Sequence, residues 1–323
     1  MAISVIIPTF NNVEYLEECI NSIYDSCVDR EYEILIGIDG CEKTVEFIKN
    51  FKINENTKVF YFPNNGGPYI IKNTLSQISK YDKIIFFDSD DIMDPIMATI
   101  CDEGLEKFHI VRPKYINFKI INDEKVFEKN SRKWGEGVFA IKKEIFLGLN
   151  GFEGWRVAAD SDFIGRLYRN RAKFWNTSQV LFKRRVHSES LTMASETGFN
   201  SEIRSQYARL SREKNTFGPL PNLAVGHYDE LVFSKSKVMN LKELMKENVD
   251  SNDKDYKERK KLISKILNNE NIKPKLTHDN KIDYNQINRT PLKTQNSKVN
   301  SALNRVKDLN QLKKNFSINR IIK

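Results

Sequence analysis

The chain has 323 residues, 40% of them hydrophobic and 11% aromatic, with 52 Lys and Arg against 43 Asp and Glu for a net charge of +9. That length holds one large domain or two small ones, with a core that needs no disulfide or metal to close it. No stretch nears the roughly 18 apolar residues of a spanning helix, and Met1-Ala2-Ile3-Ser4-Val5 lacks a basic region before an apolar core, so neither membrane spanning nor secretion is expected, and a cytoplasmic location is (the host cytoplasm, if a phage encodes the chain).

Ser4-Val5-Ile6-Ile7 is a continuous apolar run stopped by Pro8, the pattern of a buried strand. Asn12 is placed to cap the following helix, whose apolar positions Tyr15, Leu16, Cys19, Ile20 and Ile23 recur every three to four residues. Tyr32 to Ile38 reads as a second strand, ending in Asp39-Gly40. Lys58 to Phe62 reads as a third, closed by Pro63 and the turn cluster Asn64-Asn65-Gly66-Gly67-Pro68. A helix runs through Ile71, Leu75 and Ile78, and a fourth strand, Lys83 to Phe87, leads directly into Asp88-Ser89-Asp90-Asp91. Strands alternating with helices predict an α/β fold with a mainly parallel, Rossmann-like sheet. In such sheets ligands bind beyond the carboxyl ends of the strands, and Thr9, Asp39, Asp88 and Asp90 all fall at that end.

Further strands are expected at Tyr115 to Ile121 and Gly137 to Ile141. Gly151 to Leu167 starts as a Gly/Trp-rich loop and becomes a helix with Phe163, Leu167 and Tyr168 on its apolar side, and Asn200 to Lys214 reads as helical. Phe217-Gly218-Pro219-Leu220-Pro221 breaks the chain. Beyond it come a charged helical stretch, Asn240 to Leu267, and a short amphipathic pattern through Leu303, Val306, Leu309 and Leu312. There is no internal repeat. Cys19, Cys27, Cys41 and Cys101 show no close-paired spacing, which reads as four reduced structural thiols.

The charge is unevenly spread. Up to His227 the chain carries a net charge of −1, and the remainder carries +10. The expected organisation is a catalytic domain over 1–217, a charged helical extension over 218–280, and a basic tail over 281–323. The tail has two readings: a solvated segment too poor in apolar groups to order itself, or an electrostatic arm for phosphate backbones or anionic lipid.

Asp88, Asp90 and Asp91 put three carboxylates within four residues at the end of an apolar strand. One reading is a turn with a helix cap, a role that suits Asp91. However, Asp88 and Asp90 point to one side, and like charges held close cost energy unless a cation sits between them. A hard divalent ion that also binds phosphate oxygens meets that need.

Together these residues resemble family 2 glycosyltransferases of the GT-A fold, which transfer sugars from nucleotide donors with inversion. Ser4 to Asn11, with Pro8-Thr9-Phe10-Asn11, resembles the family's opening strand and its end, and Asp39-Gly40 the second half of its base-reading element. Asn65-Gly66-Gly67 followed by Lys72-Asn73 is similar to its Asn-x-Gly and Arg-Asn elements. Phe86-Phe87-Asp88-Ser89-Asp90-Asp91 resembles its metal-binding motif with the usual strand. Gly151-Phe152, then Ala159-Asp160-Ser161-Asp162-Phe163 with Arg166-Leu167, resemble its acceptor-site elements, and Arg185-Val186-His187 the segment that closes over the donor. The six elements cover about 190 residues in the family's order.

The resemblance implies Mn²⁺ or Mg²⁺ at Asp90, with His187 as a nitrogen ligand and Asp88 on the ribose or the metal. It implies Asp39 and Thr9 on the nucleobase of a UDP-sugar, within a donor site that also takes in Pro8, Asn11, Asn65 and Gly67. Lys72 is either a phosphate partner or a solvated helix-face lysine. Asp160 is the expected general base, since inverting transfer needs a carboxylate to take the acceptor's proton, with Asp162 second in line. Ala159 stands where the family has Glu, and Ile38 where it has the first Asp of the base-reading pair. The expected activity is therefore metal-dependent transfer to an acceptor hydroxyl, either on a glycan or on hydroxymethylated DNA held by the basic extension. Two other readings are weighed against it. A non-catalytic module on the same fold is disfavoured by the full set of acidic residues. A sugar nucleotidyltransferase is disfavoured because Pro8-Thr9-Phe10-Asn11-Asn12 is no Gly-rich phosphate loop.

Overall fold

The computed structural model describes residues 2–128, 133–217, 219–233, 238–239, 258 and 261–264. The expected helix over Asn240 to Leu267, apart from five of its residues, and the amphipathic pattern at Leu303 to Leu312 lie outside them.

Strand β1 (Ala2–Thr9) is followed by helix α1 (Val13–Cys27), strand β2 (Glu31–Asp39), helix α2 (Glu42–Asn50), the short β3 (Ile53–Asn54) and β4 (Thr57–Phe62). Helix α3 (Pro68–Ile78), strand β5 (Lys83–Phe86), the short β6 (Ile92–Met93) and helix α4 (Met97–Lys107) come next. The long strand β7 (Ile110–Ile121) turns back through β8 (Glu124–Phe127) and β9 (Lys133–Trp134) to β10 (Phe139–Lys142) and helix α5 (Lys143–Gly148). Helix α6 (Ala159–Arg169), strand β11 (Phe174–Arg185), helix α7 (Glu202–Phe217) and the short strands β12 (Asp229–Leu231) and β13 (Val238–Met239) complete the described elements.

The main sheet runs β12-β4-β2-β1-β5-β10-β7-β11-β6. Its centre is parallel: β1 pairs with both β2 and β5, and β2 with β4, while β10 enters antiparallel between β5 and β7. The result is a mixed, mostly parallel sheet flanked by helices. Strand order reverses across β1, because β2 and β4 lie to one side and β5 to the other, and ligands favour such a switch point at the carboxyl ends of the strands. Pro8, expected to end the first strand, lies inside it opposite Gly37, beyond the Ser4–Ile6 stretch that pairs with β5.

Burial on both faces explains the continuous apolar runs of β1 and β2. One face, with Ile3, Val5, Ile7, Ile34, Ile36 and Ile38, packs with the buried sides of α1, α2 and α4. The other carries Phe86 and Phe139, which meet Phe146, Phe152 and Phe163 at ring separations of 4.9–6.1 Å. Helix α3 lies so close to β2 that a Cβ on Gly37 would sit 2.2 Å from Ile71 Cγ2. The four cysteines are buried and free, as the spacing suggested.

The chain does not leave the fold at Phe217, where the sequence suggested a domain end. Pro221 O accepts from Asn150 Nδ2 (2.9 Å), Ala224 O accepts from Asn73 Nδ2 (2.8 Å), and Gly226 N donates to Thr74 Oγ1 (2.9 Å). Strand β12 then pairs antiparallel with β4. These are backbone bonds from an extended segment with no periodicity, so nothing in the residue pattern announces them. Asn73 also donates to Phe152 O and accepts from Phe152 N, at 2.9 and 2.8 Å. It needs Gly151 beside it, since that residue has φ +57° and a Cβ there would meet Asn73 Oδ1 at 2.5 Å.

Gly37→Ala is expected to force α3 off the sheet and to lower stability by about 1–3 kcal/mol. The denaturation midpoint in urea measures the loss.

Candidate active site

A cavity of about 290 Å³ opens at the carboxyl ends of β1, β2 and β5. Of the sequence-predicted residues, Pro8, Thr9, Asp39, Asn65, Gly67, Lys72, Asp88, Asp90 and Asp160 line it. His187 reaches it through a 2.9 Å contact from Nε2 to Asp90 Oδ2. Asn11 does not line it: it takes a left-handed backbone, φ 54°, and is exposed. Its neighbour Asn12 lines the cavity instead: it occupies the N-cap of α1 as expected, but its side chain donates to Ser89 Oγ at 3.0 Å and makes no cap bond. The sequence offered two adjacent asparagines and no means of knowing which way the turn would face them.

Each carboxylate of the acidic loop after β5 has a different partner. Asp88 Oδ1 accepts from Lys72 Nζ at 2.9 Å, and Lys72 also donates to Gly137 O at 3.0 Å. Lys72 is 2% exposed, so the solvated helix-face reading is corrected: the pitch of α3 turns this position inward, above the end of β5. Asp91 is buried and accepts from the Arg185 backbone N–H at 2.9 Å. Burial, then the charges of Asp90 and Asp88, push its carboxyl well above the usual range. The Arg185 side chain donates to Asp90 O at 3.0 Å and pairs with Glu18. Its guanidinium lies 4.4 and 4.7 Å from the Tyr15 and Phe118 ring centroids.

Asp39 at the end of β2 accepts from Gly66 N (2.9 Å) and Gly67 N (3.0 Å). It thereby fastens the loop before α3, and Gly67 at φ +91° supplies a backbone that other residues rarely adopt. Burial raises the Asp39 carboxyl despite those two amides. Thr9 Oγ1 and His187 Nδ1 are buried with no hydrogen-bond partner, a costly state that marks a position built for something other than stability.

Asp160 stands in the first turn of α6. Its Oδ1 accepts from Ser161 N at 2.9 Å, and the Tyr69 hydroxyl also bonds it. Burial and then the charge of Glu136 raise its carboxyl above the ordinary value, and Lys72 opposes them. Ala158, which caps α6, is held left-handed at φ 63°, a strained conformation for alanine that sets the entry of the helix. Asp162 does not line the cavity: it is buried against Arg166 (Nε to Oδ2, 2.9 Å), whose Nη2 donates to Gly151 O at 2.6 Å. The second-choice base is thus part of the packing.

Further lining residues escaped the sequence reading, among them Tyr69, Gly137, Arg156, Arg184 and Arg204. Tyr69 lies one turn before Lys72 on α3 and was within reach of the helical period. The arginines lie in the loop before α6 (Arg156), at the end of β11 (Arg184) and at the start of α7 (Arg204), where the sequence carries no comparable signal. Among the described residues, no three His, Cys, Asp or Glu converge to hold a metal ion, and no helix is long and apolar enough to cross a membrane.

Residues 4–132 match the family model described as glycosyl transferase family 2. The chain is 30% identical over 125 residues to the poly(ribitol-phosphate) beta-N-acetylglucosaminyltransferase TarS of Staphylococcus aureus, covering 36% of this chain and 22% of that protein. It is 25% identical over 217 residues to the glycosyltransferase GlyG of Streptococcus pneumoniae, covering 58% of this chain and 72% of that one. The crystal structure of S. aureus TarS 1–349 in complex with UDP-GlcNAc matches 59% of this chain and 60% of its own, at 19% identity and a TM-score of 0.47. The chain spans about a fifth of the length of the TarS protein it matches.

Asp162→Asn should remove the partner of a buried guanidinium and cost about 3–5 kcal/mol. Asp160→Asn, at the cavity wall, should leave the unfolding midpoint close to that of the parent chain. Denaturant unfolding of the two variants side by side separates the packing carboxylate from the cavity one.

Proposed function

Starting from a family 2 glycosyltransferase domain over residues 4–132, we propose that the chain transfers a sugar from a UDP-sugar to an acceptor hydroxyl, with inversion and with a divalent cation. The observation that carries this reading is the meeting, in one cavity, of Asp88 and Asp90 with Asp160, an available carboxylate.

The residues present fit a cation under one condition. Asp90 Oδ2 and His187 Nε2 face each other at 2.9 Å with no third protein donor converging among the described residues. Two protein ligands with open positions suit Mn²⁺ or Mg²⁺ shared with a diphosphate. Such an ion, when bound, supplies positive charge to the departing phosphate. Asp39 and Thr9 hold the nucleobase end, and the unpaired Thr9 hydroxyl supports that assignment. Asp160 takes the proton from the acceptor hydroxyl as it attacks, and its raised carboxyl suits a base that must bind a proton during turnover. Tyr69 and the Ser161 amide fix its orientation.

For the acceptor, relatives named as poly(ribitol-phosphate) transferases favour a glycan or polyol-phosphate polymer. The +10 charge beyond His227 supports the second reading, hydroxymethylated DNA held by a basic arm. A duplex base must first leave its stack to reach Asp160. With all of Asp39, Asp88, Asp90, Asp160 and His187 at or beside the cavity, a non-catalytic binding module is the weaker alternative.

UDP release from a panel of UDP-sugars with Mn²⁺, with poly(ribitol phosphate) or hydroxymethylated DNA added, tests the reading. Asp90→Ala should abolish metal-dependent UDP binding; unchanged affinity removes the metal assignment. Asp160→Asn should bind UDP normally and turn over about 10²–10⁴-fold more slowly; near-parental turnover removes Asp160 as the base. Stimulation by the DNA alone would move the acceptor to nucleic acid.

A further inference from the structure

Gly137 precedes β10 and lines the cavity. A Cβ built on it would lie 3.3 Å from Asp160 Oδ2, 3.7 Å from Asp88 Oδ2 and 3.9 Å from Lys72 Nζ. One missing methyl group therefore marks the point where two carboxylates and a buried ammonium converge. The glycine is not there for its backbone, which is not left-handed, unlike that of Gly67 and Gly151. Its carbonyl is fixed by Lys72 at 3.0 Å, so the empty point has a fixed position relative to all three groups.

The bonding of Asp88 divides its two oxygens. Oδ1 is occupied by Lys72, while Oδ2 faces the space above Gly137 together with Asp160 Oδ2. A space bounded by two carboxylate oxygens and one ammonium presents acceptors and a donor at close quarters, which is the chemistry that binds hydroxyl groups. A hydroxyl donates to a carboxylate oxygen and accepts from an ammonium. A neutral polyhydroxyl ring fits such a wall, whereas a phosphate would meet two negative charges.

We propose that Gly137 is the floor of the subsite for the transferred sugar, that the Lys72-held carboxylate of Asp88 hydrogen-bonds a ring hydroxyl there, and that the absent Cβ sets which sugars fit. This rests on the transferase reading above and deepens it. It assigns Asp88 to the sugar, leaving Asp90 and His187 as the ion's protein ligands. A methyl group at 137 competes with a ring substituent for the same volume, so a bulkier hexose suffers more than a pentose lacking C6. The nucleotide, held at Thr9 and Asp39, is left in place.

The test is the binding of UDP, a UDP-pentose and two UDP-hexoses to the full chain and to Gly137→Ala by calorimetry with Mn²⁺, followed by UDP release from each donor. The variant is expected to bind UDP within twofold of the parent, to bind UDP-hexoses at least tenfold more weakly, and to shift the release ratio toward the pentose. An equal loss with every donor overturns the proposal, because the methyl group then acts only by displacing Asp160. A loss of UDP affinity matching the loss of sugar affinity also overturns it. Asp88→Asn, which keeps the shape at that position, gives a second route should Gly137→Ala fold poorly. Its preference among deoxy-sugar donors should change at one ring position, and an unaltered preference overturns the assignment of Asp88. If the parent chain binds no UDP-sugar and releases no UDP, the transferase reading itself falls, and the subsite with it.

Discussion

Three carboxylates in four residues at the mouth of a parallel sheet repel one another, and much of the chain is arranged around that repulsion. Lys72 from α3 takes Asp88, the Arg185 backbone from the end of β11 takes Asp91, and His187 two residues later takes Asp90. Removing charges from water costs several kcal/mol per ion unless each finds a partner. Elements far apart in the chain must therefore close on one loop. The contact of α3 with β2 at Gly37 and the seating of the Arg185 guanidinium between Tyr15 and Phe118 both bring these partners into place. The same geometry leaves one oxygen of Asp88 and the Asp90–His187 pair at the cavity.

The central strands were legible in the residues because they are buried on both faces, and an apolar run bounded by Pro, Gly and Asp has few other readings. The acidic loop was legible because its spacing is local, whereas Asp160 stood out only through the family resemblance. What stayed hidden depends on contacts between distant residues. Nothing near Lys72 says that its ammonium goes inward to Asp88, and Asn73 meets Ala224 across 151 positions of chain. The Asn11–Asn12 turn depended on a single left-handed residue, which reverses which side chain faces the ligand. Asp162 stood second to Asp160, and the position of Arg166 one turn later on the same helix is what takes it into the packing.

Asp39 shows how one side chain serves structure and site together. Its carboxylate fastens the Gly66-Gly67 turn, and that turn launches α3, which carries Tyr69, Lys72 and Asn73. The Asp39 end and the Asp160 end of the cavity are therefore joined through a single helix. This connection gives a physical reason for the Asn-x-Gly element and the Lys-Asn pair to occur together in the chain.

The left-handed Ala158 at the entry to α6 has a consequence for anyone wishing to stabilise the protein. Glycine at that position would relieve a strain of about 1–2 kcal/mol and would look attractive on thermal grounds. The same relief would free the entry of the helix from which Asp160 projects and, on the reading proposed above, widen the range of angles at which its carboxylate meets an acceptor hydroxyl. On that reading robustness and turnover draw on one backbone torsion, and a gain in melting temperature there would come with slower transfer.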